Sequence, residues 1–335
     1  MEIIISLFLA VSLVFYVVFA GADFGMGMLE ILCPKSLRKR VAKVSYRAIG
    51  PVWEANHVWL ILAVVITFVG FPRVYSTLSV SLHIPLSLLL LGIVLRGSAF
   101  TFRHYDAVVD GSQKWYAILF QLSSFWSSFF LGICAAAVMN GEMGTNTGSF
   151  WEIYISPWWN LFGVSVGIFL CFIHLLLASI FLLGEELPDD LLRLFKRRAR
   201  ELLLGVVITG SLVFLSAQLS DVHLVNNFLG NSIGLTIIVL AILNSLLLLW
   251  AIWRRKPWTA RVLVGLLVSI ILVGWFVLQF PILIHLKNGE NLTIFNAHAP
   301  RATLRGLLWA LSIGVAAIFP ALGYLFYVFK IKDEG

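Results

Sequence analysis

Two carboxylates in this chain stand where apolar neighbours make a charge costly. Asp23 lies in Gly21-Ala22-Asp23-Phe24-Gly25-Met26-Gly27, and Glu54 in Gly50-Pro51-Val52-Trp53-Glu54-Ala55-Asn56-His57-Val58-Trp59. A carboxylate at membrane depth costs on the order of 3 kcal/mol or more, so its presence calls for a reason. On a helix, Glu54, His57 and Val58 share one face by i, i+3 and i+4 spacing, with Trp53, Asn56 and Trp59 close by. Glu54, Asn56 and His57 can hand on a proton or order water, and such chains mark proton relays in membranes. Plainer roles stand beside this one. Asp23 could be a structural acid paired with Arg47 or Arg96, and His57 is more often a hydrogen-bonding group than a metal ligand. Gly21, Gly25 and Gly27 permit close helix packing in any case.

The elements that must position these residues are membrane helices. The 335-residue chain is 60% hydrophobic and 12% charged, with mean hydropathy +0.95. A soluble domain carries about 25% charged residues. Nine apolar stretches are legible, near Ile3–Ala22, Ile49–Phe71, Val74–Leu95, Trp115–Val138, Trp158–Leu183, Leu202–Leu219, Ser232–Trp253, Val262–Leu283 and Thr303–Phe329. Each approaches the ~20 residues that cross a bilayer. Continuous apolar runs exclude a β-barrel, whose strands alternate. Only Pro72-Arg73 separates the second and third stretches, which implies a tight hairpin. The expected fold is an all-α polytopic membrane protein in a single transmembrane domain. Residues 1–138 and 158–283 form two four-helix groups, and 303–329 adds a ninth helix.

Charge sets the expected orientation. With the N-terminus outside and the C-terminus cytoplasmic, 20 of the 24 Lys and Arg residues fall on inner segments, leaving Arg73, Lys287, Arg301 and Arg305 outside. An eight-span chain would destroy this asymmetry. The net charge of +7 is therefore topogenic and does not indicate nucleic acid. Met1-Glu2 lacks the basic start of a secretory signal, so the first helix is read as uncleaved. Residues Leu191–Glu201 read as an amphipathic inner-surface helix whose basic face suits anionic headgroups. In this topology Asp23 lies near the cytoplasmic end of the first helix, Glu54 one to two turns into the second, and Arg96 at the inner end of the third. All three sit at similar depth.

Other chemistry is sparse. Cys33, Cys134 and Cys171 form no C-x-x-C pair, and there is no P-loop or dinucleotide fingerprint. The seven histidines (His57, His83, His104, His174, His223, His285, His298) include no pair within one span. His83, beside Pro85, and His174 are read as mid-membrane residues with hydrogen-bond partners rather than haem ligands. No haem or other metal ligand is expected from this chain.

The run Gly21-Ala22-Asp23-Phe24-Gly25-Met26-Gly27-Met28 resembles the G-x-D-x-G-x-G stretch of subunit II of cytochrome bd-type quinol oxidases. Gly50 to Leu60 is similar to the W-[DE]-x-N-x-V-W-L element of that subunit, and Phe71-Pro72-x-x-Tyr75 and Arg96–Arg103 fit its continuation. The motif resemblance covers about the first 105 residues. It implies a haem-free subunit II paired with a subunit I that carries two b haems, haem d and the quinol site. A small single-span subunit can accompany such a pair. The complex would oxidise quinol and reduce O₂ to water in the bacterial cytoplasmic membrane. The family's proton-path acid falls on Glu54, where Asp is common, with Asp23 next to it. His57 and Asn56 would join the path, with Trp53, Trp59 and Arg96 supporting it. Membrane lipids and quinone are the expected partners besides subunit I. Two other readings remain open at this point: a proton-coupled secondary transporter, and a haem-free quinol-binding anchor of another respiratory complex.

Overall fold

The computed structural model describes residues 1–50, 53–105, 112–144, 147–185, 187–222 and 224–326. Pro51 and Val52 of the second motif, His223, residues 327–329 of the expected ninth span, Lys330 and Lys332 lie outside them, as does the His104 side chain. Helix α1 is Glu2–Leu32, α2 Arg38–Ile49, α3 Trp53–Asn56, α4 Val58–Gly70, α5 Pro72–Ser81, α6 His83–Tyr105 and α7 Ser112–Ala137. Then come α8 Phe150–Tyr154, α9 Leu161–Leu182, α10 Asp189–Leu219, α11 Leu224–Leu229, α12 Ser232–Trp253 and α13 Pro257–Gln279. A two-stranded antiparallel ribbon, β1 Ile282–Ile284 and β2 Leu292–Thr293, precedes α14, Arg301–Phe326. Among the described residues nine helices are long and apolar enough to cross a membrane.

Several boundaries differ from the sequence expectation, each for a local reason. Helix α1 does not stop at Ala22 but continues to Leu32, so Asp23 is inside it rather than near its end. The glycines after Asp23 do not break it, because they bury against neighbouring helices. No tight hairpin joins the second and third spans. At Phe71 (φ −133°, ψ 64°) the chain turns into α5, which breaks again at Leu82. Helix α5 is half polar, with Arg73, Ser76, Thr77, Ser79 and Ser81, and Arg73 is tied to the Asn296 carbonyl. The third crossing starts only at His83. His83 and Pro85 are thus at a helix start, not mid-membrane, and His83 packs edge-on against Tyr154. Arg96 correspondingly lies within α6 and not at its end. The expected surface helix at Leu191–Glu201 is the first part of α10, continuous with the sixth crossing. Leu191, Phe195, Ala199, Leu202, Leu203 and Val206 form one buried stripe; no Pro breaks the helix, and Gly205 within it packs closely on Phe172. The eighth crossing ends at Gln279, and Leu283 belongs to β1.

Helix α1 packs along α7 and α9; α6 packs along α7, α9 along α10, and α12 pairs with α13. The largest apolar core lies among α1, α7, α9, α10, α12 and α13. A second core, with Ile5, Ile66, Phe71, Ile284, Leu292 and Leu304, seals the end where the ribbon sits. In lipid, helix association rests on close van der Waals packing. The α1–α9 crossing shows how close. A Cβ at Gly25 would stand 1.8 Å from the His174 carbonyl oxygen, and one at Gly21 would stand 2.4 Å from the His174 ring.

Gly25→Ala should therefore separate these two helices. Alanine gains about 1 kcal/mol of helix propensity, but the obstacle is backbone, which no rotamer relieves, and overpacking costs about 1–3 kcal/mol. The net expectation is a lower thermal midpoint, or loss of folded protein, in detergent. Gly314→Ala, where nothing lies within 4 Å of the added methyl, should keep the midpoint or raise it. An unchanged midpoint for Gly25→Ala would show that the crossing is not tight.

Candidate functional site

Asp23 and Arg96 form the centre of the site. Both side chains are fully buried, and Arg96 Nη2 donates to Asp23 Oδ1. Of the two partners that the sequence left open for Asp23, the structure selects Arg96. Arg47, on α2, is exposed. The guanidinium lies 5.2 Å from the ring centres of both Phe24 and Phe120, which supply cation–π contacts on a dry path. Farther along, Arg103 Nη1 donates to both oxygens of Glu30 at 3.0–3.1 Å, and Gln121 Nε2 donates at 3.2 Å. Both pairs are 73 residues apart in sequence. Seven residues along each helix advance it about 10.5 Å. Two rungs with equal offset therefore require α1 and α6 to run in the same direction and in register.

Phe24 is the hub around which the other polar groups gather. Its ring centre lies 5.8 Å from His174, 6.0 Å from His57 and 6.3 Å from Tyr16. His174 Nδ1 is 2.7 Å from Ser128 Oγ. Six buried polar atoms in this neighbourhood have no hydrogen-bond partner among the described residues: Tyr16 OH, Asp23 Oδ2, His57 Nδ1, Arg96 Nε, Arg96 Nη1 and His174 Nε2. Native interiors leave few such atoms dry, and their clustering marks a place suited to ordered water.

The second motif sits beside this cluster. Helix α3 carries Trp53, Glu54 and Asn56 and packs on α1. The helix is interrupted at His57, which caps α4. The His57 amide reaches back only to the Glu54 carbonyl (3.2 Å), a tighter turn than an α-helix. This bend gives the shared face an uneven environment: Glu54 and Val58 are exposed on the chain, while His57 is half-buried and faces Tyr16 and Phe24. Glu54 is thus not the deeper of the two acids. Asp23 is sealed inside, and Glu54 is at the surface with no side-chain partner among the described residues. Asn56 is buried and donates weakly to the Phe19 carbonyl at 3.5 Å. Trp59 is buried against Phe15 and Phe319. Trp53 packs on Phe100 and lies over Gly97.

The sequence reading missed Glu30, Gln121, Tyr16 and Ser128. Glu30 and Arg103 had a visible signal, since each follows its counterpart, Asp23 or Arg96, by seven residues. Tyr16 and Ser128 had none, because only packing reveals which polar residue of a long helix faces inward. Among the described residues no group of three His, Cys, Asp or Glu side chains could hold a metal ion. Among the described residues His174 is the most deeply buried histidine. Its Nδ1 is engaged by Ser128, and its Nε2 lies 2.7 Å from where a Cβ at Gly21 would be.

Comparison with known proteins agrees with this architecture. Residues 1–329 match the family model for cytochrome bd terminal oxidase subunit II. The chain is 28% identical over 338 residues to the cytochrome bd ubiquinol oxidase subunit 2 of Bacillus subtilis, covering 96% of this chain and 93% of that one. It is 26% identical over 170 residues to the cytochrome bd-I ubiquinol oxidase subunit 2 of Escherichia coli K12, covering 48% and 44%. In fold it is similar to a chain of the bd oxidase from Geobacillus thermodenitrificans, with a TM-score of 0.79, 98% of each chain covered and 18% identity. With a family model matched along nearly its whole length, this chain belongs to the cytochrome bd terminal oxidase subunit II family.

Proposed function

We propose that this chain is the haem-free subunit II of a cytochrome bd-type quinol:O₂ oxidoreductase in a bacterial cytoplasmic membrane, and that it carries protons from the cytoplasm toward the site of O₂ reduction. The partner is a haem-bearing subunit I, with room in such an assembly for a small single-span subunit. In this reading the two b haems, haem d and the quinol site belong to subunit I, and this chain shields them. Family membership leaves the transporter and the unrelated anchor without support.

The observation that carries the proton path is the contrast between the two acids. Glu54 is exposed on this chain, free to take up a proton or to face a partner. Directly behind it, His57 leads to a buried cluster in which six polar atoms have no hydrogen-bond partner among the described residues. A proton taken up at Glu54 passes by way of His57 and water held near Asn56 to the pocket around Phe24. Asp23 and Arg96 neutralise each other, so the pocket stays polar without net charge. Trp53 and Trp59 wall the entrance against lipid. Exposed apolar side chains such as Val58, Ile61 and Val65 continue the same helix outward and suit lipid or a second membrane subunit.

Two predictions separate chemistry from assembly. Glu54→Gln keeps size and polarity but cannot carry the proton. Quinol oxidase turnover of the purified complex should fall at least tenfold, about 1.4 kcal/mol in barrier, with the haem spectrum unchanged. Glu54→Asp should retain much of the activity. Parent-level turnover in the Gln variant would remove Glu54 from the path, and loss of haem would make it an assembly residue instead.

Arg96→Met should act differently. It leaves Asp23 buried without its counter-charge, and breaking one side of a buried pair costs about 3–5 kcal/mol. The expected outcome is little or no assembled complex on size-exclusion chromatography. A variant that assembles with normal haem content would show that the pair does not hold the fold. Asp23→Asn with Arg96→Met should recover part of the yield.

A further inference from the structure

A cavity of about 250 Å³ opens at the basic end of the bundle, between the end of α9, the first turns of α10 and the α12–α13 turn. Its apolar floor includes Leu183, Leu192 and Ile252, and its rim carries Lys196, Arg255 and Lys256. Lys196 and Arg255 have no ion-pair partner among the described residues. Lys256 rests on the Trp250 ring, 4.9 Å from its centre. The carboxylate lining the cavity, Glu185, is engaged by Arg261 at 2.8 Å, and Arg261 also donates to the Phe181 carbonyl. Among the described residues the rim is therefore cationic, with no ion pair to Lys196 or Arg255. Arg255 holds a left-handed backbone (φ 55°) in the turn that brings it there.

A second, independent feature fixes the depth. Trp250, Trp253 and Trp258 are exposed around the same turn, at 42%, 70% and 74%. Exposed tryptophans of this kind sit at the level of lipid headgroups. A cationic rim over an apolar floor at headgroup depth matches one ligand chemistry: a phosphate attached to acyl chains. We propose that this cavity is a binding site for an anionic membrane phospholipid, its phosphate held by Lys196, Arg255 and Lys256 and its chains lying over Leu192 and Ile252. The cavity is slightly smaller than the ~300–1,000 Å³ of enclosed small-molecule sites, which suits a headgroup whose chains stay in the bilayer. The site is remote in sequence from Glu54 and does not depend on the proton-path reading.

The test uses the purified oxidase complex in detergent, titrated with phosphatidylglycerol, phosphatidylcholine or inorganic phosphate and read by native mass spectrometry and thermal midpoint. Phosphatidylglycerol should bind at least tenfold more tightly than phosphatidylcholine and raise the midpoint, and inorganic phosphate should do neither. K196Q/R255Q should lose that preference, while K39Q/K43Q, an equal charge loss on exposed positions of α2, should keep it. Equal binding of both lipids, a full effect from inorganic phosphate, or an unchanged preference in K196Q/R255Q would overturn the proposal. If K196Q/R255Q fails to assemble, the parent complex decides. Lipid extracted from it should be enriched at least fivefold in anionic species over the surrounding membrane, and no enrichment would mean that these cations serve the fold or a protein partner.

Discussion

The buried Asp23–Arg96 pair is the constraint on which the rest of this structure depends. Each charge alone would cost several kcal/mol at that depth, and their mutual attraction offsets this only when the geometry is held. Holding it demands a parallel α1 and α6, kept in register by the second rung at Glu30 and Arg103. It also demands α7 beside them, since Phe120 on α7 lies against both Arg96 and Arg103, at 5.2 and 5.7 Å. Three crossings are thus locked by one pair of ladder contacts. A hydrophobic substitute could stabilise such a core as well, so the charges point to something other than stability. A neutral but highly polar pocket suits water and protons.

Small residues make that pocket possible. Gly21 and Gly25 let α1 sit directly on α9, which brings His174 and its partner Ser128 against the face of α1 turned away from Asp23. The apolar seal then comes from aromatic rings. Phe24 separates the ion pair from His57, Tyr16 and His174, while Trp59, Phe15 and Phe319 close the side toward α14. The cluster is polar at its centre and ringed by aromatic side chains. In a low-dielectric wall of this kind, electrostatic effects inside are strong and leakage of water outward is costly.

The two ends of the bundle are built differently. At the ribbon end, polar backbone groups of the connecting segments satisfy one another, as where the Ala299 amide reaches the Gly70 carbonyl at 2.8 Å. At the other end, charge does the work. Arg40 pairs with Asp190 at the start of α10, and Arg198 caps the Leu32 carbonyl at the end of α1. A cation at a helix C-terminus and an acid at an N-terminus both complement the helix dipole. The same basic end therefore anchors helix termini and, in our reading, meets the anionic surface of the bilayer.

The number of crossings, their helical nature and the identity of the acid-bearing motifs were legible in sequence, because each depends on local composition. Twenty apolar residues must form a helix in lipid wherever they occur, and an acid among them stands out without any knowledge of neighbours. Helix ends were less legible. Helices α1 and α10 run past their apolar windows because their polar ends pack on other helices, while α5 drops out of the third crossing because half its residues are polar and Phe71 and Leu82 break the helix. The partner of Asp23 was not legible. Nothing local distinguishes Arg96 from Arg47 as the partner of Asp23, or shows that Glu54 faces outward while Asp23 is sealed. Those facts depend on contacts between residues far apart in sequence, 73 positions in the case of Asp23 and Arg96, which exist only after the helices have packed. The sequence determined which groups could carry a charge in the membrane, and tertiary structure decided which of them is paired, which is exposed and which polar atoms share one pocket.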